Sequence, residues 1–194
     1  MTTRLIERLD TISHAYDALL CDVWGCYHNG LQPFPAAVAA LQGFRARGGT
    51  VVLLTNAPRP AASVAQFLDG MGAPRDSYDA IMSSGEACVR ALGARAHGER
   101  IHYVGPERDL HMLAQAGLAP ATLDEAEAVL CTGLFDDSRE TPEDYAEAIT
   151  AWRARGLPML CANPDVVVDR GTQRLWCAGA LAEAYARAGG EVIW

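Results

Sequence analysis

The sequence lacks several features that mark common functional classes. Its 194 residues contain no Cys-x-x-Cys pair, no run of basic residues and no apolar stretch near the roughly 18 residues of a membrane span. The net charge is −8. A nucleic acid or an anionic membrane surface is therefore not expected as a partner. A small phosphorylated substrate stays compatible with this charge, because a bound Mg²⁺ supplies local positive charge.

Two further absences concern the compartment of the protein. Residues 1–17 carry five charged side chains and no apolar core of signal-peptide length, so we expect a cytoplasmic protein. The cysteines are scattered, several of them in apolar runs, which favours buried reduced thiols over zinc ligands or disulfides. These cysteines are Cys21, Cys26, Cys88, Cys131, Cys161 and Cys177.

Strand-like apolar runs alternate with stretches of helical periodicity along most of the chain. This alternation predicts βαβ units and an α/β fold with a mainly parallel, Rossmann-like sheet. A short helix is also predicted over residues 3–13, where apolar side chains recur at helical spacing. The predicted strands are 18–22, 50–54, 79–82, 101–104, 128–131, 158–162 and 191–194, with a short edge strand over 166–168.

Polar side chains end the first two of these strands. Asp22 ends an apolar run that is too short and too unbroken for an amphipathic helix and is typical of a fully buried strand. Thr55 and Asn56 end the next run. Strands joined by one crossover helix are often neighbours, so these side chains are expected at one carboxyl edge, where they suit an oxyanion. The alternative is that Asp22 only starts a turn.

The segment Asp22-Val23-Trp24-Gly25, followed by Leu54-Thr55-Asn56, resembles the first two motifs of the haloacid dehalogenase superfamily of phosphohydrolases. Further segments, in the family's order, are similar to class IIA, the branch with NagD-type, pyridoxal and p-nitrophenyl phosphatases, here in a D-V-W-G form. These segments are Ser83-Ser84, Tyr103-Val104-Gly105, Ala162-Asn163-Pro164-Asp165 and Cys177-Ala178-Gly179-Ala180-Leu181.

The resemblance assigns roles to the residues at the predicted sheet edge. Asp22 would be the nucleophile that accepts the phosphoryl group and would also bind Mg²⁺. The backbone carbonyl of Trp24 would be a second Mg²⁺ ligand. Thr55 and Asn56 would bind the phosphate during its transfer.

The resemblance also implies a domain arrangement. Residues 1–98 would form the N-terminal part of the core, residues 99–177 an inserted α/β cap, and residues 178–194 the return to the core. Asn163 and Asp165 would lie on the cap face that closes over the substrate and excludes water. The alternative for this segment is an ordinary strand-ending turn. A homodimer formed through the cap is compatible with the resemblance.

Two positions depart from the wider family pattern. The superfamily usually has a general acid and base two residues after the nucleophile; here that position is Trp24, whose indole exchanges no proton near neutral pH. His28 is the nearest titratable candidate to replace it, the alternative being a loop histidine that faces solvent. The family also continues into a Gly-Lys-Pro turn and a paired-acid metal motif. The sequence stops at Trp194, so we expect a truncated core with weak or no activity and an open sheet edge.

Taken together, these features favour a Mg²⁺-dependent phosphatase of a small phosphorylated metabolite, acting through an aspartyl-phosphate on Asp22. The alternative is a non-catalytic protein of the same fold that holds a phosphorylated metabolite or a protein partner. Nucleotide-cofactor binding by a plain Rossmann domain is disfavoured, because no Gly-x-Gly-x-x-Gly follows the first strand.

Overall fold

The computed structural model of the chain describes residues 5–170 and 173–194. It divides into two compact units. The first unit comprises the chain up to Thr55 together with Ala62–Met82, and the second comprises Asn56–Ala61 with Ser83–Trp194. Strands pair in parallel in both units and helices connect them, which confirms the predicted α/β class.

The first unit contains a three-stranded sheet in the order β1-β2-β3. Strands β1 and β2 are parallel, with Leu19 opposite Val51. Pro35 opens the connecting helix, as its fixed φ favours, and the buried face of that helix includes Phe44. The elements are β1 (Ala18–Asp22), α1 (Pro35–Ala46), β2 (Thr50–Thr55), α2 (Ala61–Gly70) and β3 (Ala80–Ser83).

Strand β1 is not fully buried, contrary to the prediction. Its side chains alternate between exposed and half-buried, and Leu20 is 68% exposed. On neighbouring β2, Val51 and Leu53 are fully buried, whereas the alternate residues Val52 and Leu54 are only partly buried. Because successive strand residues point to opposite faces, one face of this sheet is covered and the other is open.

The predicted helix over residues 3–13 is also wrong where the structure describes it. Residues 3 and 4 lie outside the described residues, and the remainder forms two short 3₁₀ turns, Leu9–Thr11 and Ser13–Ala15. The Thr11 hydroxyl donates to the Arg8 carbonyl at 2.7 Å. Such local side-chain bonds to the backbone compete with a continuous helix.

The second unit contains a parallel four-stranded sheet in the order β4-β5-β6-β9, and an antiparallel hairpin of β7 and β8. The hairpin's second strand was not predicted from the sequence. The strands are β4 (Ile101–Val104), β5 (Ala128–Cys131), β6 (Met159–Cys161), β7 (Val167–Arg170), β8 (Gln173–Trp176) and β9 (Val192–Ile193). The helices are α3 (Ser84–Gly93), α4 (His111–Gln115), α5 (Ala146–Ala154) and α6 (Ala178–Arg187).

Both faces of this second sheet are covered. Val129 and Met159 pack in one apolar cluster with Trp152 of α5. The alternate residues Leu130 and Leu160 pack in another cluster on the opposite face. Strands β5 and β6 are therefore buried along their whole length, as expected for strands between two helical layers.

Helix starts in this unit follow the local sequence. The Ser83 Oγ accepts the Glu86 backbone N–H at 3.0 Å, and Ser83 is thereby the N-cap of α3. The Glu86 carboxylate does not close a capping box with Ser83; it accepts the Ala61 backbone N–H at 3.3 Å. A reciprocal capping box joins Thr141 and Asp144 at the turn that leads into α5.

Residues 178–194 belong to the second unit, although the family resemblance returned them to the core. Strand β9 pairs with β6, with Val192 opposite Met159, so this segment extends the sheet of residues 101–161. The unit also begins at Ser83, earlier than the predicted boundary at residue 99. Which unit acts as core and which as cap stays a prediction.

The six cysteines are free thiols with unequal exposure. Cys26 is exposed and Cys21 is only partly buried, so the expected burial is wrong for these two thiols, which both lie in the first unit. The other four, all in the second unit, are buried, as the sequence predicted. Cys131 and Cys161 lie opposite each other on β5 and β6. Among the described residues, no helix combines the length and the apolar character needed to cross a bilayer.

Candidate active site

The first unit places Asp22 at the carboxyl end of β1, beside the end of β2. Asp22 pairs with Leu54, so Thr55 lies one residue further along the neighbouring strand. The predicted adjacency of these two strands is therefore confirmed. Asp22 is exposed, and its Oδ1 accepts the Val23 backbone N–H at 2.8 Å. That bond fixes one carboxylate oxygen next to the strand end.

A tight loop follows Asp22 and holds Trp24. The Val23 carbonyl accepts two backbone N–H groups, from Tyr27 at 2.9 Å and from His28 at 3.1 Å. Gly25 has a φ of +75° and donates its N–H to the His28 carbonyl, a conformation that favours glycine. The indole of Trp24 is 49% exposed beside Asp22 in the sequence.

His28 is buried rather than solvent-facing, since it is only 3% exposed. Its Nδ1 accepts the Gly30 backbone N–H at 2.8 Å, and its ring lies edge-on to Phe67 at 5.7 Å between centroids. Burial lowers the pKa of His28, although the charge of Asp22 partly opposes this shift. The solvent-facing interpretation of His28 is therefore wrong, and its role in proton transfer stays a prediction.

Two thiols contact Asp22, and the sequence analysis gave them no role at the site. The Cys26 Sγ lies 3.9 Å from Asp22 Oδ2, and the Cys21 Sγ donates to the Asp22 carbonyl at 3.1 Å. Burial raises the pKa of Cys21 to about 11. The position of Cys26, four residues after Asp22, indicated this contact, because a tight loop brings such a residue back to the strand end.

The second unit brings together the other three residues that the resemblance selects. The Asn56 Nδ2 donates to Asp165 Oδ1 at 2.9 Å, across a long separation in sequence. The Asp165 backbone N–H in turn donates to Asn163 Oδ1 at 3.0 Å. The six predicted residues thus divide evenly, with Asp22, Trp24 and Thr55 in the first unit and these three in the second.

Gly179 supports the loop that carries Asn163 and Asp165. Its N–H donates to the Asp165 carbonyl at 3.1 Å. A Cβ at Gly179 would lie 2.3 Å from the Pro164 carbonyl oxygen, so only glycine allows the first turn of α6 this close to the loop.

A buried ion pair in the second unit was missed by the sequence analysis. Asp109 is 2% exposed, and its Oδ1 lies 3.5 Å from the Arg59 Nε. Arg108 is a second partner, with 3.7 Å between its Nε and Asp109 Oδ2. Burial raises the pKa of Asp109, and the two guanidinium groups oppose that shift. Nothing local in the sequence pairs Arg59 with a carboxylate fifty positions away.

The donor set near Asp22 fits Mg²⁺, which prefers oxygen ligands and usually keeps several waters. Oδ2 of Asp22 accepts no N–H, and within residues 5–170 and 173–194 no hydrogen bond reaches the Trp24 carbonyl. These are the two oxygens that the resemblance selects. In the same described residues, no group of three His, Cys, Asp or Glu side chains is placed to hold a metal ion. Other ligands would be water and substrate phosphate.

Comparisons with known proteins agree with this architecture. A family model described as haloacid dehalogenase-like hydrolase matches residues 19–119. A haloacid dehalogenase-like hydrolase from Brucella suis 1330 is 44% identical, with a TM-score of 0.91, over 97% of this chain and 69% of that one. No curated protein matches the sequence.

Two named phosphatases share the fold at lower identity. A glycerol phosphate phosphatase from Mycobacterium tuberculosis, solved with magnesium, is 28% identical with a TM-score of 0.69, over 93% of this chain and 55% of its own. A p-nitrophenyl phosphatase from Archaeoglobus fulgidus is 21% identical with a TM-score of 0.71, over 90% of this chain and 66% of its own. The family model covers more than half of the chain, and the Brucella hydrolase is similar along nearly all of it; the chain belongs to the haloacid dehalogenase-like hydrolase family.

Proposed function

We propose that the protein is a Mg²⁺-dependent phosphatase that acts on a small phosphorylated metabolite, with Asp22 as the nucleophile. The observation that carries this proposal is the exposed carboxylate of Asp22 at the carboxyl edge of two parallel strands, next to Thr55. In α/β sheets this edge is where ligands bind. Similarity to proteins named as phosphatases supports the same reaction class.

The geometry suits nucleophilic attack by a carboxylate. The Val23 N–H holds Asp22 Oδ1, which orients the second oxygen, Oδ2, toward a substrate. An Asp22 oxygen would form a bond to phosphorus while the bond from phosphorus to the leaving oxygen breaks. Water would then cleave the aspartyl-phosphate, and the carboxylate would be regenerated.

The polar side chains at the carboxyl end of β2 would bind the phosphate. The Thr55 hydroxyl and the Asn56 amide would donate to phosphoryl oxygens. Asn56 already donates one N–H to Asp165, and its amide has a second N–H for the phosphate. Mg²⁺, held by the Asp22 carboxylate and the Trp24 carbonyl, would neutralise charge on the phosphoryl group. Asn163 and Asp165 would contact the remainder of the substrate.

Replacement of Asp22 tests the proposal. We expect Asp22→Asn in the full-length protein to lower Mg²⁺-dependent phosphate release by about 10³-fold or more, because an amide is not a nucleophile toward phosphorus. The readout is phosphate released from p-nitrophenyl phosphate, with and without EDTA, alongside a thermal unfolding curve.

Asp17→Asn is the matched control, since it makes the same chemical change in an exposed residue just before the opposite end of β1. Its activity should stay within about twofold of the parent, as for most exposed substitutions. An Asp22→Asn protein with parental turnover would exclude the mechanism. Absence of Mg²⁺-dependent phosphate release from the parent protein would instead favour the non-catalytic alternative.

A further inference from the structure

The buried carboxylate of Asp109 in the second unit holds two arginines. Asp109 Oδ1 lies 3.5 Å from the Arg59 Nε, and Asp109 Oδ2 lies 3.7 Å from the Arg108 Nε. The Arg59 and Arg108 side chains, by contrast, are 37% and 49% exposed. One carboxylate inside the fold therefore fixes two guanidinium groups that stay open to solvent.

The backbone of each arginine is also fixed. The Arg59 carbonyl accepts the Ser83 hydroxyl at 2.5 Å, and a Cβ at Gly85 would lie 2.3 Å from the Arg59 nitrogen. The Arg108 carbonyl oxygen lies 2.9 Å from the His111 Nδ1. Because both arginines are held in place before any ligand arrives, binding to them costs less conformational entropy.

These side chains lie at the carboxyl edge of the four-stranded sheet. Arg108 and Asp109 follow the carboxyl end of β4, and Arg59 reaches Asp109 from residues 56–61 of the same unit. Strand β5 runs parallel to β4, so the loop that carries Asp137 starts at the same edge. In α/β sheets, ligands bind outside the carboxyl ends of the strands.

The two guanidinium groups differ in how much of their hydrogen-bonding capacity is used. The Arg108 Nη2 donates to Asp137 Oδ2 at 2.8 Å. Within residues 5–170 and 173–194, Asp109 is the one carboxylate in ion-pair range of Arg59, and the two meet through the Arg59 Nε. A guanidinium carries five N–H donors in a planar fork that matches the oxygens of a carboxylate or a phosphate. Donors of Arg59 therefore stay available to an oxyanion.

We propose that Arg59 and Arg108 form a binding site for an oxyanion, a carboxylate or phosphate group of a small ligand. The oxyanion accepts N–H groups from both guanidiniums and displaces Asp137 from Arg108. Asp109 does not contact the ligand and acts as a positioning residue for the two arginines. The oxyanion belongs either to the phosphorylated substrate, in which case the inference rests on the proposed function, or to a separate small anion.

Titration with malonate tests the site without catalysis. We measure malonate binding to the full-length protein by calorimetry, in EDTA so that no divalent metal contributes. We expect Arg59→Gln and Arg108→Gln each to weaken binding about tenfold or more, because each removes a charge-assisted hydrogen bond. No malonate binding, or binding that is the same without either arginine, would overturn the inference.

Arg187→Gln is the matched control for these two variants. It removes an exposed arginine of the same unit, whose partner Glu183 lies one helical turn away. Its malonate affinity should stay within about twofold of the parent, as for most exposed substitutions. Thermal unfolding curves check that all three variants fold.

Replacement of Asp137 separates ligand binding from a structural ion pair. Asp137→Asn frees the Arg108 Nη2, so malonate should bind about two- to fivefold more tightly, the range for one partly exposed ion pair. Asp136→Asn makes the same change one residue earlier, where the carboxylate binds Ser138, and should leave the affinity unchanged. Weaker malonate binding in Asp137→Asn would overturn the inference, because Asp137 would then support the arginines rather than compete for them.

Substitutions of Asp109 test its positioning role. Asp109→Asn loses the charge that holds both guanidiniums, so malonate affinity should fall about threefold or more, although the local charge becomes more positive. Asp109→Glu restores the charge and should recover part of the affinity. A rise in affinity in Asp109→Asn would overturn the positioning role, since the carboxylate would then only neutralise the arginines. The Asp137→Asn result still decides the inference if Asp109→Asn does not fold.

Two phosphate esters identify the source of the oxyanion. Phosphoserine differs from phosphoethanolamine by one added carboxylate. If the substrate supplies the oxyanion, the ratio of kcat/KM for phosphoserine over phosphoethanolamine should fall about tenfold or more in Arg59→Gln, mainly through KM. An unchanged ratio together with arginine-dependent malonate binding would assign the site to a separate anion. Arginine-dependent malonate binding without turnover of either ester would leave the inference intact and contradict the proposed function.

Discussion

The two sheets of the molecule bury the same kind of sequence to very different degrees. Leu20, in the middle of β1, is 68% exposed, whereas Leu130, in β5, is fully buried. Both leucines lie in short apolar runs that read alike. The difference is that apolar clusters cover both faces of the second sheet, whereas alternate side chains of β1 are exposed. An apolar run therefore identifies a strand, but the neighbouring layers decide its burial.

Carboxylates also differ in burial between the two units. Asp22 in the first unit is exposed, with one oxygen bound to a backbone N–H. Asp109 in the second unit is buried between two arginines, which satisfy its charge. An exposed carboxylate at a strand end can reach a substrate, whereas a buried and paired one serves the fold.

The largest effect is expected from truncating the two leucines in parallel. Leu130→Ala should lower the free energy of unfolding by about 2–5 kcal/mol, because it removes buried apolar atoms and leaves a cavity. Leu20→Ala should change it by less than about 0.5 kcal/mol. Urea unfolding followed by circular dichroism measures both values. Similar losses in the two variants would mean that the open face of the first sheet is covered in solution.

A medium effect is expected from two glycines of the same helix in the second unit. A Cβ at Gly85 would lie 2.3 Å from the Arg59 backbone nitrogen, so Gly85→Ala should cost about 1–3 kcal/mol by overpacking. Gly93, near the end of α3, has no atom within 4 Å of such a Cβ. Gly93→Ala should leave stability unchanged or raise it by up to about 1 kcal/mol. The same unfolding assay applies, and a harmless Gly85→Ala would show that the contact with Arg59 is loose.

The smallest effect is expected from an ion pair of the first unit, as a function of pH. The Arg45 guanidinium donates to Asp79, and together with the Val51 N–H it lowers the pKa of that carboxyl. A lowered folded-state pKa stabilises the fold at pH values above the unfolded pKa. This contribution is lost as the pH falls below about 4, through the folded-state value.

Asp79→Asn should therefore flatten the decline of unfolding free energy below about pH 4, with little change near pH 7 beyond the lost ion pair. Urea unfolding at a series of pH values measures this slope. Identical slopes for the parent and the variant would show that Asp79 is not bound to Arg45 in solution.

Most of the fold was predictable because its signals are local. The apolar runs located eight of the nine strands among the described residues, and Pro35 and Ser83 begin helices through their own backbone and side-chain chemistry. The second strand of the hairpin, Gln173–Trp176, was missed because its register depends on β7. The placement of β9 next to β6 was also missed, since strand order is set by packing across the whole unit.

The positions of the candidate site residues at the strand ends were predicted better than the side chains that surround them. The strand ends and the family motifs located Asp22 and Thr55 side by side. The burial of His28 could not be predicted from the sequence, because it depends on Phe67, which lies far away along the chain. The contact between Asn56 and Asp165 likewise requires the folded second unit.

Cys131 and Cys161 lie opposite each other on adjacent strands, and the rate at which they are alkylated reports local opening of the second unit. An alkylating reagent reacts with Cys26 without any opening of the structure, since that thiol is exposed. The reagent reacts with Cys131 and Cys161 only when the strands between the helical layers become accessible. Counting alkylated sulfurs by mass over time thus reports how often the second unit opens, without adding any label.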